Sequence, residues 1–123
     1  MHRRWGAPPI NLFGYPSFRL SANLDYCFGF FDNGLNPAAR LAKESDLILL
    51  LGRKQDLIIG YAKPPTFSNK THIIQIDPSA AEIGRNRGVS VGIVGSIDKI
   101  LDQLADEAAK YTWEKGPWIT RLN

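Results

Sequence analysis

The sequence predicts an α/β fold, with a mostly parallel sheet flanked by helices. Three observations carry this. Short apolar runs recur along the chain, segments bearing helix signals fall between them, and the longest run, Leu47-Ile48-Leu49-Leu50-Leu51, is five large aliphatics without alternation. Such a run is too short for a helix and suits a strand covered on both faces, as in a parallel sheet. Strands alternating with helices then imply right-handed crossovers in one layered domain.

Taken in order, the first expected strand is Pro9-Ile10-Asn11-Leu12-Phe13, entered through Gly6-Ala7-Pro8. Residues Gly14 to Asn33 alternate Gly, Pro, Ser and Asn with aromatics and read as a long loop. A helix should follow, because Asn36 is a good N-cap, Pro37 suits the first turn, and Leu35, Ala38, Leu41 and Ala42 share a face. It ends at Ser45, and the Leu47–Leu51 strand comes next, stopping at Gly52. The loop-rich stretch Gly52 to Asn69 holds a short strand at Leu57-Ile58-Ile59 and a Pro64-Pro65 break. Thr71 to Ile76 reads as a second buried strand.

Ser79-Ala80-Ala81-Glu82 matches a capping box, opening a short helix that cannot run far past Gly84. Val89 to Val94 alternates as a further strand. The last helix is the clearest: Ser96 caps it, and Ile97, Ile100, Leu101, Leu104, Ala105, Ala108 and Tyr111 fall on one face. Asp98 suits its positive end, and Asp106 is spaced to pair with Lys110. Residues 1–112 form the expected domain and 113–123 a C-terminal tail or linker.

Composition narrows the function. The 123 residues are 44% hydrophobic and 22% charged, ordinary for a soluble domain, and no apolar run approaches the ~20 residues that cross a bilayer. The start Met1-His2-Arg3-Arg4-Trp5 lacks the apolar core of a signal peptide, so the cytoplasm is the expected location. The net charge of +3 is scattered over 15 basic and 12 acidic residues. Its two clusters, His2-Arg3-Arg4 and Arg85-Asn86-Arg87, read as solvated surface; a nucleic-acid partner and a membrane are not expected. The single cysteine, Cys27, sits among Tyr26, Phe28, Phe30 and Phe31 and reads as a buried, inert thiol.

Catalytic signals are absent. There is no GxSxG elbow, no phosphate-cradling P-loop, no CxxC and no HExxH, and neither His2 nor His72 has the setting of a general base. The chain alone is expected to do no chemistry and to hold no metal. Binding remains, and in parallel sheets ligands gather at the carboxyl ends of strands. Gly52-Arg53 ends one strand, where glycine permits close approach and a guanidinium pairs with phosphate or stacks on a flat ring. Asp77 ends another, where a carboxylate can accept from both ribose hydroxyls. Phe28-Gly29-Phe30 offers an apolar wall. Each also has a plainer reading: Gly52 ends a strand, Arg53 is solvated, and Asp77 before Pro78 forms a turn. The residues alone leave both readings open.

The stretches "LAKESDLILLLGRK" and "IIQIDPSAAEIGRNRGVSVGIVGSIDKILDQL" closely resemble the central domain of thiamine-diphosphate-dependent enzymes. That group includes acetolactate synthase, oxalyl-CoA decarboxylase, benzaldehyde lyase and benzoylformate decarboxylase. The pattern is an "ADLVLxLGxR" strand and turn, then "IxIDxDPxEIGxN", a short strand and a closing helix. It covers about Asn36 to Ala109, and Gly6-Ala7-Pro8-Pro9-Ile10 is similar to the domain's "LGxPV" strand.

The resemblance implies a Rossmann-like (DHS-like NAD/FAD-binding) central domain with a six-stranded parallel sheet. In that family it binds FAD or ADP in some members and is purely structural in others. By position, Gly52 and Arg53 match the "LGxR" turn lining the nucleotide, Asp77 the ribose-contacting acid, Pro78 its neighbour and Glu82 the motif's glutamate. Gly29 is carried with them as a candidate contact. Thiamine diphosphate and Mg2+ would belong to the parent enzyme, acting on 2-oxo acids or acyl-CoA, and not to this chain.

The departures are specific. The turn "LGRKQD" is one residue shorter than "LGxRxxD", Ser79 replaces the second acid, and Phe13–Asp25 does not follow the family's "GxGxxPxxHPL". Nothing matches the domain's first βα unit, so the chain reads as a partial domain with the remaining enzyme domains as partners and an edge suited to homo-oligomer contacts. The alternatives are a free-standing adenine-nucleotide-binding or regulatory module, and a structural domain with a vestigial site.

Overall fold

The fold is described from a computed structural model, which describes residues 3–5, 11–13, 27–32 and 34–113. The readings of Gly6 to Ile10, of Tyr26 and the Cys27 thiol, and of the tail beyond Trp113 concern residues or side chains outside this set.

The centre is a three-stranded parallel sheet of β4 (Leu47–Leu51), β5 (His72–Asp77) and β6 (Val91–Val94), in the order β4-β5-β6. Two further parallel pairs join β1 (Arg3–Trp5) to β7 (Tyr111–Trp113), and β2 (Asn11–Phe13) to β3 (Cys27–Phe30). The α/β class and the parallel sheet are therefore as the residue pattern predicts. Strand β3 is not: it lies inside the stretch expected to be loop.

Register explains which residues turn inward. Ile48 faces Ile73 and Leu50 faces Gln75, on one side of the sheet. That side carries the core of Phe31, Ala39, Ala42, Leu50, Ile59, Ala62, Phe67 and Ile73. The Phe31 and Phe67 rings meet at 5.7 Å between centroids. The opposite side pairs Leu47 with His72 and Leu49 with Ile74. Leu47, Leu49 and Val91 there are 52%, 43% and 46% exposed, so the expected cover of β4 on both faces is not found among the described residues.

The connections differ from expectation in type more than in place. Residues Ala39–Glu44 form a 3-10 helix and not an α-helix. Its N-cap is Ala38 and not Asn36, with no side-chain cap; Asn36 accepts the Ala38 amide at 3.0 Å in the turn before the helix, and Leu35 is exposed. The strand expected at Leu57-Ile58-Ile59 is instead part of a 3-10 segment, Leu57–Ala62, because the Asp56 carboxylate caps the Ile58 amide at 3.1 Å. Helix α1 (Ile97–Ala108) begins after Ser96, although the Ser96 side chain makes no capping bond. Lys110 pairs with Glu107 at 2.9 Å, not with Asp106 as expected, and this contact raises the lysine above its usual 10.5. No helix among the described residues is long and apolar enough to cross a membrane.

Candidate functional site

Strands β4, β5 and β6 run parallel, so their carboxyl ends open on one edge of the sheet, and the chain segments that leave them meet there. Gly52 follows β4 with φ +61, a left-handed conformation that glycine adopts without the Cβ clash of other residues. Its amide donates to the Ile76 carbonyl at 2.8 Å, extending the ladder by one residue. Ile97 of α1 sits against it, and Ile100 against Gly95, so the first turns of α1 pack on this edge.

Asp77 closes β5 and is buried, at 6% exposure. Its Oδ1 accepts the Ser79 amide at 2.8 Å, and its carbonyl accepts the Gly95 amide at 3.2 Å. The turn that the residues alone allowed is thus formed. The second carboxylate oxygen has no partner among the described residues. Pro78 follows, exposed. The capping box does not form: Ser79 makes no side-chain cap, and only a three-residue 3-10 turn, Ala80–Glu82, follows. Glu82 instead faces Arg85 at 3.3 Å and Lys54 at 3.9 Å.

Arg53 is largely buried, with its side chain 19% exposed. Both terminal nitrogens grip the Asp56 carboxylate, at 3.2 and 3.3 Å, and its Nε is buried with no hydrogen-bond partner among the described residues. Gly29 stands apart, in β3 of a different sheet. Beside the strand ends lies an open cleft of about 330 Å³, lined by Lys54, Gln55, Asp56, Tyr61, Glu82, Arg85 and Asn86. Of the candidate ligand contacts read from sequence, Glu82 alone lines it, joined by Arg85 and Asn86 of the cluster read as solvated surface. Gly52, Arg53, Asp77 and Pro78 gather on the adjoining strand ends.

What sequence reasoning missed is the polar scaffold beneath. Gln75 is fully buried in β5, and Gln55 is 2% exposed. Gln75 donates to the Glu82 and Arg53 carbonyls and accepts the Gly84 amide and the Gln55 side chain, at 2.9–3.4 Å. Gln55 accepts the Asn86 and Arg87 amides at 2.9 and 2.7 Å and donates to the Arg87 carbonyl at 3.0 Å. Arg87, expected at the surface, donates to the carbonyls of Ala62, Asn69 and Thr71. The signal was present: one glutamine inside an apolar strand must find partners, because a buried amide without them is costly.

The sequence profile of the thiamine pyrophosphate enzyme central domain matches residues 19–104, well over half of the chain. The chain belongs to this family. Among its relatives, 2-hydroxyacyl-CoA lyase 1 of Mus musculus is 33% identical over 79 residues, covering 64% of this chain and 14% of the relative. The Homo sapiens lyase of the same name is 30% identical over 95 residues, covering 77% and 15%. The acetolactate synthase large subunit of Pyropia yezoensis is 32% identical over 105 residues, covering 80% and 18%. The central domain described here therefore spans less than a fifth of the length of each of these relatives.

Proposed function

We propose that this central domain serves a larger thiamine-diphosphate-dependent enzyme acting on 2-oxo acids or acyl-CoA, and that its strand ends hold the adenosine part of ADP or FAD. The names of its relatives, 2-hydroxyacyl-CoA lyase and acetolactate synthase, support a parent that makes or breaks a bond beside a carbonyl carbon. Catalytic residues, thiamine diphosphate and Mg2+ would lie in other domains. A homo-oligomeric parent and a cytoplasmic setting belong to the same proposal.

The observation that carries the nucleotide reading is Asp77. A carboxylate buried at the end of the middle strand, with one oxygen held by a turn, leaves its other oxygen to accept from ribose hydroxyls. The buried Nε of Arg53, a donor without a partner among the described residues, suits an anionic group beside it. The adjoining cleft is at the small end of the range for ligand sites, which fits a nucleotide portion and not the whole of FAD.

The test is a thermal-shift titration with ADP, FAD and coenzyme A, on the wild-type chain and on Asp77→Asn. Asparagine keeps the oxygen that accepts the Ser79 amide but loses the second acceptor. A ligand at a hundredfold excess over its Kd should raise the wild-type Tm by on the order of 10 °C. The variant should melt near wild type without ligand and lose the response. Equal responses in both proteins would remove Asp77 from the site, and no wild-type response to any of the three would end the nucleotide reading for this chain.

A further inference from the structure

We propose that Gln55, Gln75 and Arg87 are positioning residues of this site. Together they lock the segment after β4 to the segment after β5, and hold the turn that presents Tyr61 to the cleft. The inference rests on bonds that bridge distant parts of the chain. Gln75 alone joins the carbonyls of Arg53 and Glu82 and the amide of Gly84. Gln55 adds the amides of Asn86 and Arg87, and its own carbonyl accepts Asn86 Nδ2 at 2.6 Å. Each glutamine amide makes four bonds, and one of them is shared between the two.

Only a carboxamide does this. The Glu82 and Arg53 carbonyls need a donor and the Gly84 amide needs an acceptor, all within one buried side chain. Glutamate would face two carbonyls with acceptors alone, and methionine would satisfy none of the three.

Arg87 extends the lock to the third segment. Gly60, Tyr61 and Ala62 have φ of 60, 55 and 58, three consecutive left-handed residues of which two carry side chains. Such strain persists only where its surroundings over-determine it, and it gathers at functional sites. Here Ala62 and Ile59 are buried, Tyr61 donates its amide to the Asp56 carbonyl at 2.8 Å, and Arg87 holds the Ala62 carbonyl at 2.8 Å. The result is a half-exposed tyrosine that lines the cleft together with Glu82, Arg85 and Asn86. A rigid aromatic wall is suited to a flat ligand group.

The loop-locking role stands without a ligand; the role in binding rests on the nucleotide reading. Amide hydrogen exchange on Gln75→Met and Arg87→Lys separates them. The Gly84, Asn86 and Arg87 amides in Gln75→Met, and the Tyr61 amide in Arg87→Lys, should exchange at least about tenfold faster relative to the β4–β5 ladder amides, the loss of roughly one hydrogen bond. A uniform change across loops and ladder, or none, would overturn the inference. If Gln75→Met does not fold, Arg87→Lys decides it. Where the wild type binds ADP, folded Gln75→Met should bind about tenfold more weakly or worse. Unchanged affinity with loosened loops would overturn the positioning role. A wild type that ignores all three nucleotides would sink the nucleotide reading, leaving the exchange result to decide the lock.

Discussion

Asp77 shows how one residue can answer two demands. Its Oδ1 builds the turn over Pro78, and its other oxygen, without a partner among the described residues, is the one the proposed function gives to a ligand. Sequence alone posed these as rivals because it does not show that a carboxylate has two separately directed oxygens in a given setting. Gly52 is a cleaner case, since its left-handed φ forbids most alternatives. Gly52→Ala should cost about 1 kcal/mol, the left-handed penalty less the entropy that alanine removes from the unfolded chain, read from urea denaturation. Space is not the issue there, because the nearest atoms to an added Cβ are 3.8 Å away. The residues least legible in advance were Gln55 and Arg87, whose partners lie up to 32 positions along the chain. Sequence spacing carries no sign of such contacts.

At the scale of elements, apolar periodicity located β4, β5 and β6 within two residues and the start of α1, because burial and period act locally. Helix α1 ends at Ala108, however, and Tyr111, expected on its face, opens β7. The failures share a cause: a side chain met a partner that local pattern does not reveal. Asp77 takes the Ser79 amide, and Glu82 turns to Lys54 and Arg85, so the capping box is dismantled from both ends. Asp56 caps Ile58 and converts an apolar run with strand character into a 3-10 turn. Close packing of the 82–84 segment on β6 supplies a prediction. A Cβ on Gly92 would stand 2.5 Å from Cγ2 of Ile83. Gly92→Ala should therefore destabilise by roughly 1–3 kcal/mol as Ile83 is displaced. Combining it with Ile83→Ala should cost less than the sum of the two single changes, measured by a double-mutant cycle.

At the scale of the whole molecule, the described residues centre on a three-stranded parallel sheet with one face built into a core and the other carrying exposed leucine and valine. The fold class was legible because parallel strands advertise themselves as unbroken aliphatic runs. The candidate site was legible only as a set of strand-end residues; the scaffold that orders the segments around them was not, being made of long-range amide bonds. The family assignment places the chain as a domain spanning 14% to 18% of each of three relatives, so its own contribution is best sought in what its strand ends hold. The most direct measurement is a two-dimensional 1H–15N spectrum of the labelled chain titrated with ADP. Saturable shifts are expected at the amides of Gly52, Arg53, Asp77, Ser79 and Gly95 and in the adjoining cleft around Tyr61, Glu82 and Asn86, and not beyond. Shifts centred elsewhere on the molecule, or none at millimolar ADP, would contradict it.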